Sequence, residues 1–266
     1  MTSKSYFDLN GKVVLITGGA GLLAKEYAIA LATYGGKIYL ADIDYDKLMV
    51  ASSSLAEKQI DVNILRLDVS NEDEWETAVG QILDREGSLD ILINNAGYTN
   101  HTVEENYSKS AECFPLSTWN EIIKVNLTGS FLGCKVAGSR MLKVKNGTII
   151  NIASLYGIVS PHHPLYEDCS ISQPVAYSVS KSGVISLTKY LGSLWAKSGV
   201  RVNCLTPGGV FNDHEEPFLS RFSKLNPIGR MLDKSELHGA IVFLASDASS
   251  HIVGHNLIVD GGWTTW

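Results

Sequence analysis

The sequence predicts an α/β fold: a doubly wound, seven-stranded parallel sheet with helices on both faces. Three observations predict it. Seven short runs rich in Val, Ile and Leu punctuate the 266 residues, longer amphipathic segments separate them, and a glycine-rich turn follows the first run. Near-continuous apolar runs suit strands buried on both faces of a parallel sheet. Their alternation with helical segments implies right-handed crossovers.

The strands are expected at 12–17, 37–41, 62–67, 89–94, 148–153, 201–205 and 256–259. Helical segments are expected at 22–34, 44–58, 71–85, 117–143 and 176–197. Asn71 reads as an N-cap with Glu74 as its capping-box partner. Ser117 and Thr118 open one long helix that ends near Asn146 and Gly147. No internal repeat or linker divides the chain, so residues 1–266 read as one dinucleotide-binding domain. Three long loops, 98–116, 155–175 and 206–232, follow strands. That puts them at the carboxyl edge of the sheet, where ligands bind in this architecture.

Composition narrows the partners. Hydrophobic residues make up 45% and charged residues 19%, enough for a large core. The net charge of −6 and scattered aromatics argue against nucleic acid as a partner. The amino terminus has no apolar stretch of signal length, and no run suffices to cross a bilayer, so a cytoplasmic protein is expected. Cys113, Cys134, Cys169 and Cys204 form no CxxC pair and read as reduced thiols. The adjacent His162 and His163 have no ligand at helical spacing, so no metal site is expected. His101, His162, His163 or His214 could instead touch substrate.

The first strand runs into Thr17-Gly18-Gly19-Ala20-Gly21-Leu22-Leu23-Ala24. Gly18 permits a tight turn, Gly21 lets a helix amino terminus approach a pyrophosphate, and Ala24 allows close helix–strand packing. The second strand ends at Asp42. A carboxylate there accepts hydrogen bonds from adenosine ribose hydroxyls and repels a 2′-phosphate. No Arg or Lys lies in the turn, and Ile43 follows, so the expected cofactor is NAD rather than NADP. Either Asp42 or Asp44 could instead cap the next helix.

Further motifs occur in order: Asn94-Asn95-Ala96-Gly97, Asn126 within Val125-Asn126-Leu127-Thr128-Gly129, Ser154 after the fifth strand, Tyr177-Ser178-Val179-Ser180-Lys181, Pro207-Gly208-Gly209-Val210, and Val259-Asp260-Gly261-Gly262. With the glycine turn, this series resembles the short-chain dehydrogenase/reductase family, in its single-domain, Rossmann-type branch. The resemblance runs from about Leu9 to the last residue. One departure is the turn: Leu22 and Ala24 stand where that branch usually has glycines, giving a spacing similar to longer, two-domain relatives.

The resemblance implies Asn126, Ser154, Tyr177 and Lys181 as catalytic residues. It implies Gly18, Ala20, Gly21, Leu22, Leu23, Asp42, Asp68, Val69, Asn95, Ala96, Gly97, Tyr177, Lys181, Pro207, Gly208 and Val210 as cofactor-binding. A free tyrosine is a poor base at neutral pH. Lys181, one helical turn away, is expected to lower the Tyr177 pKa and, by resemblance, to hold the nicotinamide ribose. Ser154 would hold the substrate oxygen, and Asn126 would position a water relaying protons from Lys181.

Ser154 and Tyr177 stand 23 residues apart, about twice the usual spacing in single-domain relatives. The intervening insertion, like the segment with Asn212, Asp213, His214, Glu215 and Glu216 and the loop with Asn100, His101, Glu104, Glu105 and Lys109, is polar and aromatic. That suits a hydroxylated ligand better than an acyl chain. The insertion and the terminal Trp263 to Trp266 segment are also similar to a bacterial subgroup associated with surface-sugar and flagellin-glycan synthesis.

The expected function is hydride transfer between nicotinamide and a secondary alcohol or ketone of a polar, sugar-like substrate. Alternatives are reduction of a 3-oxoacyl thioester or small ketone, an epimerase or dehydratase using the same residues, and a non-catalytic NAD-binding regulatory module. The family implies a homodimer or homotetramer through helices 117–143 and 176–197, with Trp263 and Trp266 reaching across an interface.

Overall fold

The computed structural model describes residues 6–98, 107, 109–169 and 171–266. Seven parallel strands form one sheet: β1 (Val13–Thr17), β2 (Lys37–Asp42), β3 (Val62–Arg66), β4 (Ile91–Asn94), β5 (Gly147–Ile152), β6 (Val200–Pro207) and β7 (Asn256–Val259). Their order is β3-β2-β1-β4-β5-β6-β7. Chain direction across the sheet reverses between β1 and β4, which opens a crevice at their carboxyl ends. Thr17 and Asn94 end the two strands there.

The period-two geometry of β1 splits its side chains between two core layers. Val14 and Ile16 join Tyr27 and Leu31 of α1 (Leu22–Thr33), Leu48 of α2 (Tyr45–Ala56) and Ile241 of α8 (His238–Ala245). Val13 and Leu15 face the other layer, with Trp75 and Ile82 of α3 (Glu72–Glu86), Met141 of α5 (Gly129–Val144) and Leu191 of α6 (Val175–Trp195). Trp75 is wholly buried and donates its indole N–H to Val69 O at 2.9 Å. A third apolar cluster sits over the carboxyl edge and includes Phe218 and Phe222 of α7 (Phe218–Leu225).

The structure differs from the sequence expectations at several places. The expected helix 117–143 is interrupted. After α4 (Leu116–Ile123) comes one π-helical segment, Lys124–Thr128, before α5. Asn126 sits at its centre, fully buried. Asn71 does cap α3, accepting from the N–H groups of Asp73 and Glu74. Glu74, however, does not complete a capping box. Its carboxylate accepts the Asp68 N–H at 2.8 Å and pairs with Arg66 at 2.9 Å, so it ties the β3 exit to α3.

The 206–232 loop contains the end of β6 and all of α7, while 155–175 holds two short 3-10 turns, at Leu155–Gly157 and His163–Tyr166. Asn100, His101, Glu104 and Glu105 lie outside the described residues. Trp263 does not reach outward: it is 7% exposed and stacks on Phe222 of its own chain, with ring centroids 4.5 Å apart. Asp260 folds that terminus back by accepting N–H groups from Gly262 and Thr264. Trp266 is exposed.

Candidate active site

The glycine turn links β1 to α1 at the crevice. Gly18 adopts φ +65°, and a Cβ there would lie 2.8 Å from the Cα of Ala96. Only glycine therefore lets the turn after β1 abut the loop after β4. Thr17 and Asn95 lock the two loops: Thr17 Oγ1 accepts N–H groups from Asn95 and Ala96, both at 3.1 Å, and Asn95 Nδ2 donates to Thr17 O at 2.9 Å. No side chain caps the amino end of α1 and its first turn holds no acidic residue. Its backbone N–H groups and dipole thus face the crevice, which fits an anion. Ala24 is fully buried.

The ambiguity between the two aspartates resolves. Asp44 is the helix cap: it accepts the Lys47 N–H at 3.0 Å and pairs with the Lys47 ammonium at 2.9 Å. Asp42 turns the other way, accepting the Ala20 N–H and the Asp44 N–H at 3.1 Å each, and lines the crevice.

The crevice is a cavity of about 840 Å3. Gly18, Gly21, Leu22, Leu23, Asp42, Asn95 and Gly97 line one half. Ser154, Tyr177, Lys181, Pro207, Gly208 and Val210 line the middle. Ala20, Asp68, Val69, Ala96 and Asn126 are not among the residues that line this cavity. Ala20 serves Asp42 through its N–H. Asp68 accepts both the N–H and the hydroxyl of Ser70. Burial works against its charge, but those bonds and the nearby Lys124 and Arg66 hold its carboxyl below the usual value. Val69 packs where Gly129 leaves room: a Cβ on that glycine would come within 2.8 Å of Val69 Cγ2.

Sequence reading missed Ile152, Ala153 and Gly209, which also line the cavity. It also missed two tight glycines. A Cβ on Gly19 would lie 2.8 Å from Leu40 Cβ, and one on Gly157 would lie 2.8 Å from the Lys181 carbonyl carbon. The doubled glycine of the turn signalled the first. Nothing in the local sequence signalled the second, because the contact is to α6. A separate cavity of about 570 Å3 lies at the amino edge of the sheet, beside Lys12, Thr148 and Arg201. It is at the opposite end from the crevice.

Tyr177, Ser154 and Lys181 meet at the carboxyl end of β5. Ser154 follows β5, and α6 carries Tyr177 and Lys181 four residues apart on one face. Lys181 is 4% exposed; its ammonium donates to Ile152 O at 2.8 Å and lies 5.8 Å from the Tyr177 ring centroid. Burial pulls its pKa down to about 8. For Tyr177, burial pushes the phenol above its ordinary value, and a hydrogen bond with Ser154 opposes that only in part. The expectation that Lys181 lowers the Tyr177 pKa therefore fails for the chain alone: the ammonium is beside the ring while desolvation dominates at the oxygen.

Asn126 is held by protein on both sides of its amide. Its Oδ1 accepts the Tyr98 N–H at 2.6 Å and its Nδ2 donates to Ser180 Oγ at 3.1 Å. Ser180 in turn donates to Tyr177 O at 2.7 Å. The π segment thus ties the loop after β4 to the helix bearing Tyr177. Across Gly97, a Cβ would lie 3.7 Å from both Asn126 Oδ1 and Lys181 Nζ.

The far half of the cavity comes from the insertion and the segment before α7. Tyr156 and Tyr166 share a hydrogen bond between their hydroxyls at 2.5 Å. Burial first of all raises both phenols, Tyr156 to about 12. His214 stacks on Phe218, centroids 5.1 Å apart, and its Nδ1 accepts the Asn212 N–H at 3.1 Å. Burial lowers its pKa, so the ring is neutral at pH 7.

Known proteins match this architecture along its length. A family described as enoyl-(acyl carrier protein) reductase matches residues 19–264. The D-threitol dehydrogenase of Mycolicibacterium smegmatis is 33% identical, over 97% of this chain and 95% of that protein. The trans-4-hydroxycyclohexanecarboxylate dehydrogenase of Sinomonas cyclohexanicum is 35% identical, over 95% and 93%. A crystal structure of a short-chain type dehydrogenase/reductase from Mycobacterium marinum superposes with a TM-score of 0.86 at 30% identity, covering 99% of each chain. With its seven-stranded sheet and these matches along its length, the chain belongs to the short-chain dehydrogenase/reductase family and is an oxidoreductase acting on CH–OH groups.

Proposed function

We propose that the protein is an NAD-dependent dehydrogenase that moves a hydride between nicotinamide and the secondary alcohol or ketone of a polar, sugar-like substrate, with Tyr177 as general acid and base. One observation carries the reading. A half-buried Tyr177 phenol is hydrogen-bonded to Ser154, with the Lys181 ammonium beside its ring, in a cavity whose other end is set by Asp42.

The residues fit a dinucleotide. The uncapped amino end of α1 would take the pyrophosphate, Asp42 the adenosine ribose, and Lys181 the nicotinamide ribose. When bound, the nicotinamide accepts the carbinol hydrogen with its electron pair and brings a positive charge beside Tyr177. Ser154 holds the substrate oxygen, and Tyr177 takes the hydroxyl proton in oxidation or returns it in reduction. Asn126 positions Tyr98 and Ser180 around the Lys181 side of Gly97, where a water would pass protons on. Because burial favours the protonated phenol, the oxidation rate rises with pH on the alkaline side and reduction is favoured near neutrality.

Residues 1–266 then act as one domain, in the cytoplasm. Leu116, Phe131, Tyr190 and Leu194 are exposed on α4, α5 and α6, an apolar face for a homodimer or homotetramer. The test is absorbance of NADH during incubation with polyols, sugars and their ketones. Turnover only with an aliphatic ketone or an acyl thioester, or a preference for NADP, overturns the reading.

A further inference from the structure

The relatives differ in the charge of the molecules they are named for: one a neutral polyol, the other a carboxylate. The substrate half of the cavity decides between these kinds. Asp168, Asp213, Glu215 and Glu216, all solvent-exposed, are among its lining residues. Among the described lining residues, Lys181 is the only Lys or Arg, and its ammonium is turned to Ile152 O beneath Tyr177. Formally that is four negative charges against one positive charge already engaged. Of the two cations of α7, Arg221 points its guanidinium at Glu167 O, and neither it nor Lys224 lines the cavity.

The helix end beside these residues is already taken by a carboxylate. The amino end of α7 borders the cavity, and there Glu216 Oε2 accepts the Ser220 N–H at 3.2 Å. The protein's own carboxylate occupies the positive end of that helix dipole. What the wall offers instead is acceptors for hydroxyl protons, with the Tyr156 and Tyr166 phenols and Gln173 beside them. Gln173 Oε1 is buried without a hydrogen-bond partner among the described residues.

We propose that this cavity selects an uncharged polyol, whose hydroxyls donate to the acidic wall, and rejects anionic alcohols. Aldonates, sugar phosphates, sugar nucleotides and carrier-bound acyl thioesters all fall on the rejected side. The inference rests on the dehydrogenase reading above and narrows it to a substrate class.

The test compares alditols with aldonates of the same carbon number and configuration, such as D-threitol with D-threonate, by kcat/KM with NAD at low ionic strength. The alditol should be favoured by roughly tenfold to a hundredfold, the size expected for like charges several ångströms apart near a protein surface. Added salt should raise kcat/KM for the aldonate and leave the alditol unchanged, because screening weakens only the charged repulsion. The double variant Asp168→Asn, Asp213→Asn should shrink the preference at least about threefold. Both positions have positive φ, 59° and 51°, which Asn adopts as readily as Asp, so the backbone is preserved. Equal use of both substrates, preference for the aldonate, or a preference unmoved by salt and by the double variant overturns the proposal while the dehydrogenase reading stands. Turnover of neither substrate class overturns both.

Discussion

Replacing Lys181 with Met should make the protein more stable and inactive. The ammonium is 4% exposed, and burial lowers its pKa from 10.5 to about 8. That difference corresponds to a cost on the order of 3 kcal/mol for keeping the side chain charged in the folded state at pH 7. Methionine keeps most of the buried stem. It gives up the hydrogen bond to Ile152 O, worth about 1 kcal/mol. The net gain is about 2 kcal/mol, or roughly 5 °C in melting temperature for a chain this size.

The pH dependence has a definite sign. Between pH 8 and 10.5 the unfolded lysine holds its proton while the folded one has released it. The stability of the unsubstituted protein therefore rises with pH through that window. The advantage of the Lys181→Met variant should be fully present below pH 8 and vanish by about pH 10. Urea denaturation of both proteins across this range measures it. Destabilisation by Met at pH 7, or a difference that does not change with pH, refutes the reasoning.

Other substitutions probe the cofactor half. Gly18→Ala places a methyl 2.8 Å from the Cα of Ala96 at φ +65°, so it should cost about 2–3 kcal/mol in denaturation and weaken NAD binding measured by calorimetry. Asp42→Ala removes the acceptor for Ala20 and Asp44 N–H groups and a carboxylate that lines the crevice. It should weaken NAD about tenfold to a hundredfold and narrow the preference over NADP, read as the ratio of kcat/KM values. Asn126→Ala removes the acceptor of the Tyr98 N–H and the amide donor to Ser180 Oγ, whose own bond to Tyr177 O remains. It should destabilise by about 2 kcal/mol and lower kcat, whereas a variant with unchanged kcat would remove Asn126 from the proton path.

Much of the sheet was readable because its strands are apolar on both faces. Val13 to Ile16 are all buried although successive side chains enter different layers, so the run is continuous in sequence. The sequence left open which of Asp42 and Asp44 caps the next helix; the backbone bonds to Ala20 and Lys47 separate the crevice-lining Asp42 from the capping Asp44. Helix α8 escaped because HGAIVFLA is apolar nearly all round and shows no helical stripe. The π segment escaped because one extra residue per turn barely disturbs apolar spacing, and its cause is distant: Tyr98 and Ser180 hold Asn126.

Glu74 matched a capping pattern, but the Asp68 N–H and Arg66 supplied stronger partners. Trp263 looked like interface material because its partner, Phe222, lies 41 residues earlier on α7. The order of Ser154, Tyr177 and Lys181 was readable; the balance of burial against charge at the phenol was not, because desolvation depends on the whole fold.

The most direct test of Tyr177 as proton donor and acceptor is the Tyr177→Phe variant, assayed by NADH formation with the preferred alditol alongside calorimetric NAD binding. Losing the hydroxyl should lower kcat by about a hundredfold to ten-thousandfold while NAD still binds. Oxidation at an undiminished rate would contradict the account.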